Sequence, residues 1–225
     1  MEDNRMYSLP LFVSYPRTGA HWINCVMELY FDRPRLREGR VTFLEISRDD
    51  WMWFHDHDLE LKIKHGDVLY MYREPIATIY SNIIYQYFDD RKLSLPFKLI
   101  QWNKVFHEDN VICIAKKYRD HLEKWLLSDS KATTVVCHDR FKKDRDNEFK
   151  KICDFFSFEL NEKRLKWSFS QVTKEELVKR VQQKAPMGGH ILQKSYANKR
   201  NYFQEVWGDT IRQIVFTPDL KPYFS

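Results

Sequence analysis

The sequence predicts an α/β protein with a central parallel β-sheet flanked by helices. Four short apolar runs have the length of buried strands. The stretches between them carry apolar residues at every third or fourth position, which is typical of amphipathic helices. Because strands that alternate with helices usually pair in parallel, the four runs are expected to form one sheet. The 225-residue chain has no internal repeat and no Pro/Gly/Ser-rich linker, so residues 1–225 are expected to form a single domain.

The predicted elements alternate along the chain. The predicted strands are Leu11–Ser14, Trp51–Phe54, Val68–Tyr72 and Thr133–Cys137. The predicted helices lie around residues 22–30, 76–87, 111–126 and 149–156. Thr173 and Glu176 have the spacing of a capping box, which predicts the start of a further helix. Residues 185–201 lack a clean period and are rich in Lys and Arg, which predicts a basic loop facing a ligand, with an ordinary surface loop as the alternative.

Charge and cysteine usage narrow the class of protein. The net charge of +5 suits an anionic ligand but falls short of the clustered charge of a nucleic-acid binder. The four cysteines stand far apart without a CxxC pair, so neither a disulfide framework nor a structural metal is indicated, and a cytoplasmic location is expected. The N-terminal residues do not read as a signal peptide, and no apolar run approaches the ~18 residues of a membrane span.

The first candidate site is the turn YPRTGAHW, residues 15–22, between the first strand and the first helix. Such a turn aims backbone N–H groups and the positive end of a helix at one point, which binds phosphate or sulfate. Gly19 allows close approach of an anion, and the guanidinium of Arg17 can bind two of its oxygens. The Walker pattern GxxxxGK[ST] is absent, which disfavours a nucleotide triphosphatase. The alternative is a plain turn with an exposed arginine.

The second candidate site is Arg73, at the end of the strand Val68–Tyr72, with Ser81 on the following helix. In an open parallel sheet, ligands lie beyond the carboxyl ends of the strands, so Arg73 and Arg17 are expected to face the same crevice. The hydroxyl of Ser81 is expected to reach the phosphate that Arg73 binds. The alternative is an Arg–Glu pair at a strand end and a solvated serine.

These two segments, in this order and each after a strand, resemble the nucleotide-binding segments of the soluble sulfotransferases. YPRTGAHWI resembles the 5′-phosphosulfate loop of that family, usually Tyr-Pro-Lys-Ser-Gly-Thr-Thr-Trp, and YREPIATIYSNIIY resembles its 3′-phosphate segment. The resemblance implies a P-loop-like sulfotransferase fold. It also implies transfer of a sulfonate group from 3′-phosphoadenosine 5′-phosphosulfate (PAPS) to a hydroxyl or amine, without a metal.

The resemblance also implies roles for single residues. Arg73 and Ser81 would bind the 3′-phosphate, and Trp22 would lie beside the adenine. The residues that would hold the 5′ end are Arg17, Thr18, Gly19, Ala20 and His21. Ala20 replaces a threonine of the family and lacks its hydroxyl contact.

Weaker matches extend the predicted nucleotide site. His138 stands where the family has a tyrosine near the adenine, and Phe169 matches a phenylalanine that flanks the base. Lys194, Lys199 and Arg200 lie in the basic loop and are assigned to the 3′-phosphate by their charge.

Sulfonate transfer needs a general base, and histidine suits that role near neutral pH. His55 and His57 lie between the two phosphate motifs, where the family has its base. His55 resembles that base best, because an apolar strand leads directly into it, and His57 is the rival. The family often has a lysine two residues before the base; for His55 this position is Trp53, so Arg17 is expected to carry more of the leaving-group charge. Adjacent residues of a strand point to opposite faces, which disfavours a metal cluster in His-Asp-His-Asp.

Two other functions stay open. A divergent nucleotide-dependent phosphotransferase would require ATP and magnesium, and a non-enzymatic nucleotide- or RNA-binding module would use the basic loop alone. The expected acceptor is a small molecule, but neither its identity nor the oligomeric state follows from the sequence.

Overall fold

The computed structural model describes residues 9–36, 42–44, 48–89, 102–129, 131–184 and 198–224. Contacts divide the chain into two compact units. The first comprises Met1–Arg73 and Lys124–Leu177, and the second comprises Glu74–Glu123 and Val178–Ser225. A single domain over residues 1–225 stays a prediction.

The first unit contains a five-stranded sheet in which all strand pairs are parallel. The strands are β1 (Leu11–Ser14), β2 (Arg35–Leu36), β3 (Trp53–Asp56), β4 (Val68–Tyr72) and β5 (Thr134–Cys137), in the spatial order β2-β3-β1-β4-β5. The predicted α/β fold with a parallel sheet is confirmed. β1 and β4 have the predicted bounds, whereas β3 begins and ends two residues later than predicted. β2 is too short to give a pattern in the sequence.

The helices of the described chain flank the sheet or build the second unit. They are α1 (Ala20–Phe31), α2 (Pro75–Asp89), α3 (Trp102–Val105), α4 (Glu108–Leu127), α5 (Arg145–Phe155), α6 (Glu162–Gln171), α7 (Lys174–Lys184) and α8 (Asn198–Val215). Short 3₁₀ helices span Arg140–Lys142 and Lys221–Phe224. The backbone N–H of Glu176 donates to the hydroxyl of Thr173 (3.2 Å), which confirms the predicted cap at the start of α7.

The sheet is buried on both faces, which explains the continuous apolar runs of β1 and β4. On one face, Phe12, Leu69 and Met71 join a core formed with α1, α5 and α6. On the other face, the ring of Tyr70 stacks on Trp125 of α4 at 6.3 Å between centroids. Each fully buried large side chain contributes about 1.5–3 kcal/mol to stability.

β3 alternates between buried and half-buried residues. Trp53 is fully buried, and its indole N–H donates to the Asn24 side-chain oxygen on α1 (2.7 Å). The Asn24 amide nitrogen donates to the Ala20 carbonyl (2.7 Å), so the two bonds together satisfy both buried side chains and connect β3 to α1. His55 lies on the same buried face of the strand as Trp53.

The second unit is helical in its described part. The rings of Tyr80, Phe106 and Phe203 pack together with centroid distances of 4.9–5.7 Å. The Glu74 carboxylate caps α2 by accepting from the backbone N–H groups of Ile76 (2.9 Å) and Ala77 (2.7 Å).

The predicted basic loop at residues 185–201 lies mostly outside the described residues. Its last four residues, 198–201, form the first turn of α8 rather than a loop. Lys199 and Arg200 are good helix formers, and they continue a helix whose buried face carries Phe203, Ile211 and Val215. No helix in the described part of the chain is long and apolar enough to cross a membrane.

Candidate functional site

The carboxyl ends of four parallel strands meet at one edge of the first unit. Val13 is paired with Asp56, Ser14 with Met71, and Tyr72 with Cys137, so these strands end at nearly the same level. The residues that follow them are His57 after β3, the loop at residues 15–19 after β1, Arg73 after β4 and His138 after β5. The structure therefore brings predicted site residues from four separate segments to the edge where α/β proteins bind ligands.

The loop at residues 15–19 is closed by local hydrogen bonds. The backbone N–H and the hydroxyl of Thr18 both donate to the Tyr15 carbonyl, at 3.4 Å and 2.8 Å. Arg17 and Gly19 adopt positive φ angles of 71° and 95°. A positive φ costs a residue with a Cβ about 1–2 kcal/mol, so the Thr18 bonds maintain a strained turn at Arg17. α1 begins directly after Gly19, which is its N-cap residue and makes no side-chain cap bond. The start of a helix that follows such a glycine-containing loop is a common anion site in proteins.

His138 packs directly against Gly19. A Cβ built on Gly19 would lie 2.4 Å from Cδ2 and 2.7 Å from Nε2 of His138, so a side chain there would force the His138 ring to shift. Burial lowers the pKa of His138, and the charge of Arg73 adds to this effect, while a hydrogen bond with Asp139 opposes it. The imidazole is therefore neutral near neutral pH.

An aromatic group surrounds Trp22 at the start of α1. The Trp22 ring lies edge-on to His138, Phe141 and Phe169, at centroid distances of 5.8, 6.0 and 5.2 Å. The guanidinium of Arg145 lies 5.3 Å from the Phe169 ring. The structure thus brings together Trp22, His138 and Phe169, the three residues that the sequence predicts beside one adenine ring. Phe141, three residues after His138, and Arg145 join them, although the sequence patterns assign a role to neither.

Arg73 links the end of β4 to the loop at residues 15–19. Its Nη1 atom donates to the carbonyl oxygen of Arg17 (3.4 Å), and its side chain is half-buried. This contact sets a guanidinium beside the loop and supports the strained backbone of Arg17. The two arginines that the sequence analysis assigns to opposite ends of one nucleotide therefore lie next to each other in the first unit.

The other predicted 3′-phosphate residues belong to the second unit. Ser81 is half-buried on the second turn of α2. On α8, Arg200 lies 3.8 Å from the Glu74 carboxylate, and Lys199 Nζ lies 5.8 Å from the Trp102 ring centroid. Lys194 lies outside the described residues.

The two candidate bases occupy different positions. His55 is inside β3, paired with Phe12 of β1, and only 2% exposed, and its Nε2 lies 3.1 Å from the Ser14 hydroxyl. His57 follows the end of β3 and is half-buried, and its Nδ1 lies 2.7 Å from the Ser14 carbonyl oxygen. Because a carbonyl oxygen only accepts, Nδ1 of His57 donates in this bond. In the neutral ring of His57 the lone pair therefore lies on Nε2.

The segment after His57 is anchored by a buried ion pair. The Asp58 carboxylate pairs with Lys124 of α4 and accepts from the backbone N–H groups of Lys62 (2.9 Å) and Ile63 (3.0 Å). Lys124 also donates to the Ile63 carbonyl (2.7 Å). The side chains of Asp58 and Lys124 are only 1% and 13% exposed. No sequence motif points to Lys124 or Ser14, because their partners lie 41 to 66 residues away in the chain.

Among the residues that the structure describes, no group of three or more His, Cys, Asp and Glu side chains is arranged to hold a metal ion. The His-Asp-His-Asp segment is instead engaged in hydrogen bonds. Asp56 accepts from the backbone N–H of Asp58 (2.6 Å), and His57 donates to Ser14.

No protein-family model and no curated protein matches the chain. Solved structures do match it. A mouse sulfotransferase, SULT7A1, complexed with PAP, has a TM-score of 0.59 and 18% sequence identity, covering 97% of this chain and 91% of that chain. Retinol dehydratase in complex with androsterone and the inactive cofactor PAP has a TM-score of 0.57, and in complex with retinol and PAP a TM-score of 0.55. Both retinol dehydratase structures are 14% identical, covering 94% of this chain and 82% of the other. The chain therefore has the fold of the sulfotransferases.

Proposed function

We propose that the protein transfers the sulfonate group of PAPS to a hydroxyl or amine of a small-molecule acceptor. One observation carries the proposal: the strand-to-helix loop at residues 15–19, Arg73 and His57 converge at the carboxyl edge of one parallel sheet. The structures that share the fold contain PAP, the nucleotide left when PAPS has given up its sulfonate. A cytoplasmic location stays a prediction.

The nucleotide is proposed to bind along this edge of the sheet. The N–H groups at the start of α1 and the Arg17 side chain bind the 5′ end, with loop residues Thr18 to His21 around it. Trp22, His138 and Phe169 hold the adenine between aromatic faces and edges. A neutral His138 suits this position because it adds no charge beside Arg73.

The 3′-phosphate is assigned to Arg73. Its guanidinium lies at the end of β4, where it also supports the phosphate loop. Ser81, Lys194, Lys199 and Arg200 are the further residues proposed for this phosphate.

His57 is the proposed general base. His55 is 2% exposed inside a strand, whereas His57 follows the strand end, and the bond from its Nδ1 to Ser14 leaves the lone pair on Nε2. With His57 as the base, His55 takes the position two residues earlier where the soluble sulfotransferases often have a lysine.

The proposed reaction is an in-line displacement at sulfur. The acceptor O–H bond breaks and its proton passes to Nε2 of His57, while the acceptor oxygen forms a bond to sulfur. The bond between sulfur and the oxygen of the 5′-phosphate breaks, and PAP leaves with both electrons of that bond. Arg17 and the loop amides stabilise the negative charge that builds on the departing phosphate.

The first experiment measures nucleotide binding by thermal shift and calorimetry. We expect PAP to raise the melting temperature, because a ligand that binds only the native state stabilises it. Arg73→Ala should weaken PAP binding by about 10- to 100-fold and adenosine 5′-phosphate binding much less, since a hydrogen bond to a charged group contributes about 1.5–3 kcal/mol. Stabilisation by ATP with magnesium but not by PAP would favour a phosphotransferase. Binding only to RNA, falling steeply with salt, would favour a binding module.

The second experiment measures turnover with labelled PAPS and a broad panel of hydroxyl and amine acceptors. His57→Ala should lower kcat by about 10²- to 10⁴-fold and leave PAP affinity nearly unchanged, because a general base acts on the acceptor. His107→Ala is the matched control, since the His107 side chain is 65% exposed and lies in the other unit. Full activity of His57→Ala would exclude His57 as the base.

A further inference from the structure

Ser14 lies at the junction between the two histidines of β3 and the phosphate loop. It is the last residue of β1 and directly precedes the loop at residues 15–19. Its hydroxyl oxygen lies 3.1 Å from Nε2 of His55 and 3.5 Å from Nδ1 of His57. Its carbonyl oxygen lies 2.7 Å from Nδ1 of His57. Both oxygens of one buried residue thus face the two histidines.

The two imidazole rings also contact each other. Their centroids are 4.9 Å apart and their planes meet at 80°, so the edge of one ring faces the other. His55 also contacts Phe12 of β1, with 5.1 Å between the ring centroids. His55 is therefore buried in the core, and its ring packs against the His57 ring and restricts its rotation.

The hydrogen atoms of Ser14, His55 and His57 can be placed so that every bond among them has one donor and one acceptor. Nδ1 of His57 carries a proton because it donates to a carbonyl oxygen. The Ser14 hydroxyl can then donate its own hydrogen to Nε2 of His55, which turns the lone pairs of the hydroxyl oxygen toward Nδ1 of His57. When Nε2 of His57 accepts a proton, the resulting imidazolium faces two Ser14 oxygens at Nδ1. This is the orienting role that a carboxylate has in many catalytic triads.

We propose that His55 and Ser14 are positioning residues, which hold His57 with its proton on Nδ1 and its lone pair on Nε2. The inference deepens the proposed function and rests on His57 being its base. It assigns His55 a role without contact with substrate, which its burial requires. It also links the base to the phosphate loop, because Ser14 belongs to the strand that leads into that loop.

The first test reads the tautomer of His57 directly. In full-length protein labelled with ¹⁵N, histidine spectra recorded at a pH where His57 is neutral should show a protonated Nδ1 and an unprotonated Nε2. His55→Phe keeps a ring at this position but removes its nitrogens, and Ser14→Ala removes the hydroxyl; both should increase the share of the other tautomer. Ser14→Thr keeps a hydroxyl and should retain the wild-type spectrum. If the tautomer of His57 were unchanged in both His55→Phe and Ser14→Ala, the inference would be overturned.

The second test separates positioning from folding. In His55→Phe and Ser14→Ala, kcat should fall by about 10-fold, which corresponds to one hydrogen bond of about 1.4 kcal/mol, with PAP affinity unchanged. His55→Gln restores a polar group and should recover part of kcat, which a purely structural role for the ring does not predict. A wild-type kcat in His55→Phe would overturn the inference. It would also be overturned if His57→Ala kept its activity while His55→Ala lost it.

The two proposals fail in distinguishable ways. If the wild-type protein neither binds PAP nor turns over PAPS, the proposed function fails, whatever the spectra show. If PAP binds and PAPS is consumed but the His57 tautomer and kcat do not respond to His55 and Ser14, only the positioning role fails.

Discussion

The loop at residues 15–19 and the segment at residues 57–63 follow neighbouring strands of the same sheet, but they are held in different ways. The loop is closed by bonds between residues three apart, from Thr18 to Tyr15. The segment at residues 57–63 is held by distant groups, since Lys124 of α4 pairs with Asp58 and the backbone carbonyl of Ser14 accepts from His57. The loop at residues 15–19 is thus closed locally, whereas the segment at residues 57–63 depends on groups from β1 and α4. Two connections that follow neighbouring strands therefore depend on interactions of different range.

The largest effect should come from breaking the buried ion pair that anchors the segment at residues 57–63. Lys124→Met should lower the free energy of unfolding by about 3–5 kcal/mol, because it leaves the buried Asp58 carboxylate without its partner. Urea denaturation measures the loss. The exposed pair of Lys62 and Glu60 provides the control, and Lys62→Met should change stability by less than about 1 kcal/mol. Equal losses in the two variants would contradict a special role for the buried pair.

The next effect should come from the backbone of the loop at residues 15–19. Gly19→Ala should lower the free energy of unfolding by about 2–4 kcal/mol, because a Cβ is strained at φ 95° and would lie 2.4 Å from His138. It should also weaken PAP binding. Gly66→Ala is the matched control and should be nearly neutral, since a Cβ there meets nothing within 4 Å. In a double-mutant cycle, His138→Ala should relieve the overlap but not the backbone strain; full additivity would contradict the contact.

The smallest expected effect is the contribution of His138 to the pH dependence of the free energy of unfolding. Because burial lowers its pKa in the folded state, the unfolded state binds more protons below the ordinary histidine pKa of about 6.5. The free energy of unfolding should therefore fall as pH decreases from about 7 to about 5. His138→Phe, which keeps a ring but cannot be protonated, should lose less stability over this range. Above about pH 7.5 the two proteins should show parallel pH dependence, and parallel curves below pH 6.5 as well would contradict the prediction.

Much of the fold could be predicted because its signals are local. β1 and β4 are continuous apolar runs, and both were bounded correctly because their residues are buried on both faces of the sheet. The turn at residues 15–19 could be predicted because Gly19 directly precedes a helix. The positions of the two histidines were harder to predict because β3 ends at Asp56, two residues beyond the predicted Phe54. This shift puts His55 inside the strand and His57 just beyond it.

The sequence by itself therefore determined the α/β class, the two fully buried strands, the strand-to-helix turn at Gly19 and the presence of two histidines nearby. Only the tertiary structure decided which histidine is buried, and that Ser14 and Lys124 hold the segment at residues 57–63. The physical reason is the range of the interactions. Apolar periodicity, helix capping and glycine conformation depend on neighbouring residues, whereas the register of β3 and the partners of its histidines depend on contacts 41 to 66 residues apart.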